Sequence, residues 1–303
     1  MEAKGPEANK RIATAAWDGT VKIYDLAGGT VVRTLGGPNS QHKMDGLYAV
    51  AFAKTEVGVV GCTSRDTNVY IWDSETGQPL KKLSGHKGEV NGIDFHTSQS
   101  VMCTASDDKS VIIWDFKEGM TLRELNKHDA EVYGCRFLGE EHQYFVASCS
   151  FDQKVRIWDM RDKNVVATLA RAHSKDIIGI DYWSESRLLA TGGDDGIVAI
   201  WDARRSWQLR RSYSATQDSE VKRVAFSSAT GLLAAACSTG TVLVFDVADG
   251  ASGDRPVATL SGHTDCVFDV AWGTSPETGL PILVSASHDC TIRHWEAVPG
   301  GGT

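Results

Sequence analysis

The residues Val155-Arg156-Ile157-Trp158-Asp159 (VRIWD) decide how this chain is read. Apolar residues alternate with the others and the run closes on an aromatic-acidic pair, as a half-buried strand would. The same ending recurs as Tyr24-Asp25, Trp72-Asp73, Trp114-Asp115, Trp158-Asp159, Trp201-Asp202, Phe245-Asp246 and Trp295-Glu296, at spacings of 48, 42, 44, 43, 44 and 50 residues. Val21-Lys22-Ile23-Tyr24 repeats the alternation. Turns such as Asp18-Gly19 and Asp195-Gly196 suit tight hairpins that need positive φ. No segment keeps a helical period for three turns. The reading is all-β, with units of about 43 residues, the length of a four-stranded propeller blade.

Composition agrees with a packed chain. Of 303 residues, 42% are hydrophobic and 23% charged, with 31 Lys plus Arg against 39 Asp plus Glu and a net charge of −8. That balance argues against a broad nucleic-acid grip. Met1 to Lys10 mixes Glu and Lys without an apolar run, so no secretory leader is expected. No stretch approaches the roughly 18 apolar residues of a membrane span, and no membrane partner is expected. Seven scattered cysteines without C-x-x-C pairs read as reduced core thiols of the cytoplasm or nucleus. No His/Cys cluster with ligand spacing is present, so neither a metal nor a cofactor is expected.

These residues resemble the WD-repeat family of β-propellers over about residues 11–297. Five repeats end in Trp-Asp or Trp-Glu, and Gly85-His86 and Gly262-His263 supply the family's opening pair. The resemblance implies one seven-bladed ring over 11–298, flanked by an N-terminal tail, 1–10, and a Gly-rich C-terminal tail, 299–303. It also implies a non-enzymatic scaffold that binds other proteins, the chain itself a monomer within a complex.

Four repeats carry His, Ser or Thr, Asp and Trp at fixed offsets: His86/Thr104/Asp108/Trp114, His128/Ser148/Asp152/Trp158, His173/Thr191/Asp195/Trp201 and His263/Ser285/Asp289/Trp295. One such set would suggest a nucleophilic triad. Four copies point to structure, and in the family this set is a hydrogen-bonded chain that holds each blade. Blade one has Thr14, Asp18 and Tyr24 with no upstream His. Blade two has Cys62, Asp66 and Trp72, with His42 one position out of register. Blade six has Ala235, Thr239 and Phe245. Those three blades are expected to rely on packing.

A blade runs a, b, c, d from the inner strand outward. Inner strands start 24 residues before their anchors in four repeats, which puts the first start before Met1. The count gives seven b and seven c strands but six a and six d, with strand a of blade one and strand d of blade seven missing. A lost N-terminal segment, an irregular cover by residues 1–10, and strands from a partner in coat or pore scaffold manner each account for the gap.

The family's narrow top face takes the start of strand a, here Tyr48, Asn91, Tyr133, Ile178, Lys222 and Phe268. Two residues upstream lie Gly46, Glu89, Glu131, Asp176, Glu220 and Cys266. Before each turn Asp stand Trp17, Arg65, Asp107, Phe151, Asp194 and His288. From these, Trp17, Tyr48, Arg65, Glu89, Glu131, Tyr133, Phe151, Asp176, Ile178, Asp194, Phe268 and His288 are the expected peptide-binding residues. Tyr133 and Phe151 beside Glu131 suit an Arg or Lys side chain.

Two other signals stand apart. Trp158-Asp159-Met160-Arg161 and Trp201-Asp202-Ala203-Arg204 resemble the box of cullin-RING ligase receptors, which makes Arg161 and Arg204 candidates for docking a ubiquitin-ligase adaptor. The basic run Arg204–Arg211 reads as an outer edge strand. Its other reading is a phosphate or RNA contact with Trp207 available to stack, though nucleic acid is not an expected partner.

Overall fold

The computed structural model describes residues 11–37, 44–215, 218–248, 253–275 and 277–296. The two tails and His42 lie outside them. The described residues form twenty-six strands in seven antiparallel sheets, the blades of a seven-bladed β-propeller. Five sheets have four strands. Blade three is typical, with a at Val90–Phe95, b at Val101–Ser106, c at Val111–Asp115 and d at Met120–Leu125. The two end blades have three. Blade one holds Arg11–Ala15, Thr20–Asp25 and Val31–Gly36, which are b, c and d. Blade seven holds Val267–Thr274, Pro281–Ser287 and Ile292–Glu296, which are a, b and c.

The repeat exists because the aromatic anchor of each blade from two to seven packs on the blade before it. Trp114 of blade three sits with Val69 and Ile71 of blade two, and Trp158 of blade four with Val111 and Ile113 of blade three. Trp201 packs on Ile157, and Phe245 on Ile200 and Tyr213. In strand c of blade three, Ile112 and Trp114 face one junction while Ile113 faces the next. Period-two alternation therefore buries both sides of a strand, one against each neighbour.

Every inner strand carries the same irregularity. Its pairing with strand b shifts by one residue at Leu47/Ala49, Val90/Gly92, Val132/Gly134, Ile177/Gly179, Val221/Arg223 and Val267/Asp269. The extra residue is a β-bulge, which re-aims a side chain away from the ladder. It falls on Tyr48, Asn91, Tyr133, Ile178, Lys222 and Phe268. The glycines after it let inner strands approach: a Cβ on Gly92 would lie 3.0 Å from the Tyr133 carbonyl oxygen, and one on Gly179 3.0 Å from the Val224 nitrogen.

Deeper on the inner strands, charges alternate from blade to blade. Lys54 of blade two bonds Asp94 of blade three at 2.6 Å, and Asp94 accepts the Phe137 N–H of blade four at 2.9 Å. Arg136 pairs with Asp181 of blade five at 3.3 Å, and Asp181 accepts the Phe226 N–H of blade six at 2.8 Å. Arg223 pairs with Asp269 of blade seven at 3.1 Å. The relay crosses every junction from blade two to blade seven.

Asp94 is 1% exposed. Removing it takes a buried carboxylate from the Lys54 ammonium and an acceptor from the Phe137 N–H. Asp94→Ala should cost about 3 kcal/mol, read as a lower urea midpoint at an unchanged slope. An unaltered midpoint would show that the relay adds nothing to stability.

Candidate functional site

The top face is the end of the ring where strands a begin and b–c turns lie. One hydrogen bond, repeated in six blades, builds it. The N–H of the residue before each turn Asp, or before Thr239 in blade six, donates to the carbonyl two residues ahead of the bulge: Arg65 to Gly46, Asp107 to Glu89, Phe151 to Glu131, Asp194 to Asp176, Ser238 to Glu220 and His288 to Cys266. Five of these bonds measure 2.9 Å and the Phe151 bond 3.0 Å. They place in pairs residues about 20 apart in the chain.

Blades two to six give this face its chemistry. Tyr133 and Phe151 stack at 5.3 Å with their planes 14° apart. Tyr48 donates its hydroxyl to Glu89, and Arg65 lies 3.4 Å from the same carboxylate. Asn91 donates to Asp107 at 2.7 Å, and Lys222 reaches Asp194 at 3.0 Å and Glu220 at 2.6 Å. Burial and the neighbouring carboxylates Glu89 and Glu131 push Asp107 above the usual carboxylate range despite the Asn91 bond. Burial, Asp194 and Glu131 do the same to Asp176. Burial and Asp107 raise the Tyr133 phenol. Negative charge thus gathers around one aromatic stack.

The remaining expected residues are less convergent. Trp17 is 73% exposed in blade one. Phe268 meets His288 edge-on at 5.9 Å in blade seven, and His288 bonds Asp265 at 2.9 Å. Ile178 is buried, so it offers a ligand little surface.

The four polar sets are each linked end to end. The His86 ring lies 2.8 Å from Asp108 through Nδ1 and 2.8 Å from Thr104 through Nε2, and Trp114 donates its indole N–H to Thr104 at 2.8 Å. A carboxylate only accepts, so Nδ1 carries the proton, Nε2 accepts from the hydroxyl, and the hydroxyl oxygen accepts from the indole. The His173 set has 3.1 Å to Asp195, 2.8 Å to Thr191 and 3.1 Å from Trp201 to Thr191. In the His263 set, the bonds to Asp289 and Ser285 and from Trp295 to Ser285 are all 2.8 Å. His128 lies 2.9 Å from Asp152 and 2.7 Å from Ser148, which Trp158 reaches at 2.8 Å. There Arg156 intrudes, its guanidinium on Asp152 and beside the imidazole. Burial, reinforced by that cation, holds His128 below the usual histidine range.

Packing alone does not hold the other three blades, which corrects the sequence expectation. In blade two Tyr70 donates its hydroxyl to Asp66 at 2.6 Å. Blade six strings Ser219, Thr239 and Thr241 hydroxyls together at 3.2 and 3.1 Å. In blade one Asp18 accepts from Thr20. Tyr70 and Ser219 lie outside the family offsets, so the repeat pattern did not flag them. The inner-strand charges were missed too, although their signs alternate at blade spacing.

Arg161 and Arg204 follow strand c and therefore lie at the opposite end of the ring. Arg161 forks onto Asp159 and covers the Tyr144 ring at 4.6 Å. Arg204 forks onto Asp202 at 3.0 Å through both contacts. In the basic run, Ala203–Arg205 is a 3-10 turn and Gln208–Ser214 the outer strand. Trp207 is buried against Tyr182 and His142, so it is not available to stack on a base. Among the described residues no cluster of three metal-ligating side chains occurs, and no helix is long and apolar enough to cross a membrane.

The family model "WD domain, G-beta repeat" matches residues 6–25, 77–115, 119–159, 163–202 and 254–296. The chain belongs to the WD-repeat family, whose propellers are in general non-catalytic scaffolds for protein–protein interaction. The unmatched stretches 26–76 and 203–253 hold strands a, b and c of blades two and six, which lack the His-Asp chain. The chain is similar to WD repeat-containing protein 37 of Homo sapiens, 26% identical over 257 residues, or 83% of this chain and 48% of that protein. It is 34% identical to Periodic tryptophan protein 1 of Saccharomyces cerevisiae over 131 residues, 40% of this chain and 22% of that protein. It is 22% identical to Denticleless protein homolog of Gallus gallus over 300 residues, 94% of this chain and 33% of that protein. The chain spans about half the length of the first of these relatives, and less of the other two.

The turn carboxylates set a pH dependence. Burial opposes ionisation of Asp108, but bonds from His86, Ser110 and the Lys87 N–H outweigh it and hold the carboxyl well below the usual range. Asp152 and Asp289 are depressed likewise. A depressed folded-state pKa stabilises above the unfolded value, about 3.9, and the benefit is lost as pH falls through the folded value. Asp108→Asn should therefore cost about 2 kcal/mol at pH 7, and the gap to the parent chain should close below about pH 4. A gap constant from pH 7 to pH 2.5 would contradict the assignment.

Proposed function

We propose that the top face captures a short basic segment of a partner protein, with the Tyr133–Phe151 stack as the anchor. The observation that carries the reading is that stack beside Glu131 and Asp107. An aromatic face and a carboxylate together receive an Arg or Lys by cation–π and charge-assisted contact. Buried aromatic anchors dominate binding energy at interfaces. Glu89, Arg65, Tyr48, Asp176 and Asp194 form the flanks. Trp17, Phe268 and His288 are farther round the ring and serve as rim. The setting is the cytoplasm or nucleus, where the seven unpaired cysteines stay reduced.

Two other roles carry less weight. Adaptor docking through Arg161 and Arg204 would use side chains already engaged by Asp159 and Asp202. Such contacts serve the fold as readily as a partner. Completion of the end blades by a partner's strands would use the edges of the two sheets that hold three strands among the described residues.

Arrayed peptides with Arg or Lys at each position supply the ligand. Tyr133→Ala and Phe151→Ala should each weaken the best peptide at least tenfold, about 1.4 kcal/mol, with a melting temperature close to the parent's. Retained affinity in both variants would overturn the assignment. Loss on changing Arg161 and Arg204 to Ala instead would move the site to the opposite face.

A further inference from the structure

We infer that Lys222 is a built-in occupant of the top-face acidic wall, displaced by the partner, and that the partner segment therefore carries two basic side chains. This rests on the top-face reading above. Lys222 is the bulged residue of blade six, and its ammonium crosses to Asp194 in blade five while also holding Glu220. Charge on Asp194, one blade away, and on Lys222, two blades away, is felt at Tyr133. The wall thus already binds an ammonium, supplied by the chain itself. Burial works against that charge, and the two carboxylates outweigh it.

Charge counting sets the guest. Asp107, Glu131, Asp176, Asp194 and Glu220 face one cation, Lys222. Glu131 and Asp176 have no ion-pair partner among the described residues. One guest cation fits over Tyr133 and Phe151 beside Glu131. A second must take Asp176 and Asp194, where Lys222 competes for the same oxygens. A singly charged segment never meets that competition for oxygens, so Lys222 acts chiefly on the second cation and reaches the first only through space, from two blades away. Its presence lowers affinity for dibasic segments and keeps the wall from closing on any stray cation.

The test compares Gly-Arg-Gly-Lys-Gly with Gly-Arg-Gly-Ala-Gly by calorimetry at low and high salt. Lys222→Met should tighten the dibasic peptide about tenfold, steepen its salt dependence, and change the monobasic peptide less than about twofold. Lys222→Arg keeps the occupant and should stay at the parent affinity, which controls for folding. Unchanged or weaker dibasic binding in Lys222→Met overturns the inference, as does equal tightening of both peptides. If neither peptide binds the parent or any variant, the top-face reading itself fails.

Discussion

One extra residue in each inner strand is the constraint on which the rest of the molecule depends. The bulge takes a side chain out of the ladder and turns it to the mouth of the ring. The bond from the b–c turn to the carbonyl two residues earlier then fixes a second and third side chain beside it. The family fold supplies the geometry, identical in six blades. The side chains placed on it differ from blade to blade, and that difference is the functional surface.

The blades must hold their angular positions for such a surface to persist. Three layers of interaction do this at different radii. Inner-strand ion pairs and N–H contacts tie neighbouring blades near the axis. Aromatic anchors pack at mid-blade on the preceding blade. Within blades three, four, five and seven the His-Asp-hydroxyl-indole chain locks the b–c turn, and with it the residue before the Asp. Phe151 precedes Asp152, so the chain through His128 and Arg156 also steadies the aromatic stack.

Sequence reading went far where it relied on period. Spacing of the aromatic-acidic pairs located all seven blades, and the family resemblance added the missing strands of the first and last and the positions assigned to the top face. It failed where partners lie one blade away. Lys54 and Asp94 are 40 residues apart and Lys222 and Asp194 are 28 apart; nothing in either stretch marks them as a pair. Tyr70 standing in for a missing His was equally hidden, because its hydroxyl reaches the turn Asp from strand c. Trp207 misled for the opposite reason, since an aromatic flanked by arginines looks exposed until the neighbouring blade covers it.

The central claim is that this ring recognises basic segments at its top face. Hydrogen–deuterium exchange with and without the dibasic peptide tests it most directly. The account predicts added protection at residues 131–134, 149–153 and 192–195, where bulges and turns meet the guest. Protection confined to residues 159–163 and 202–206, at the opposite end of the ring, would contradict it.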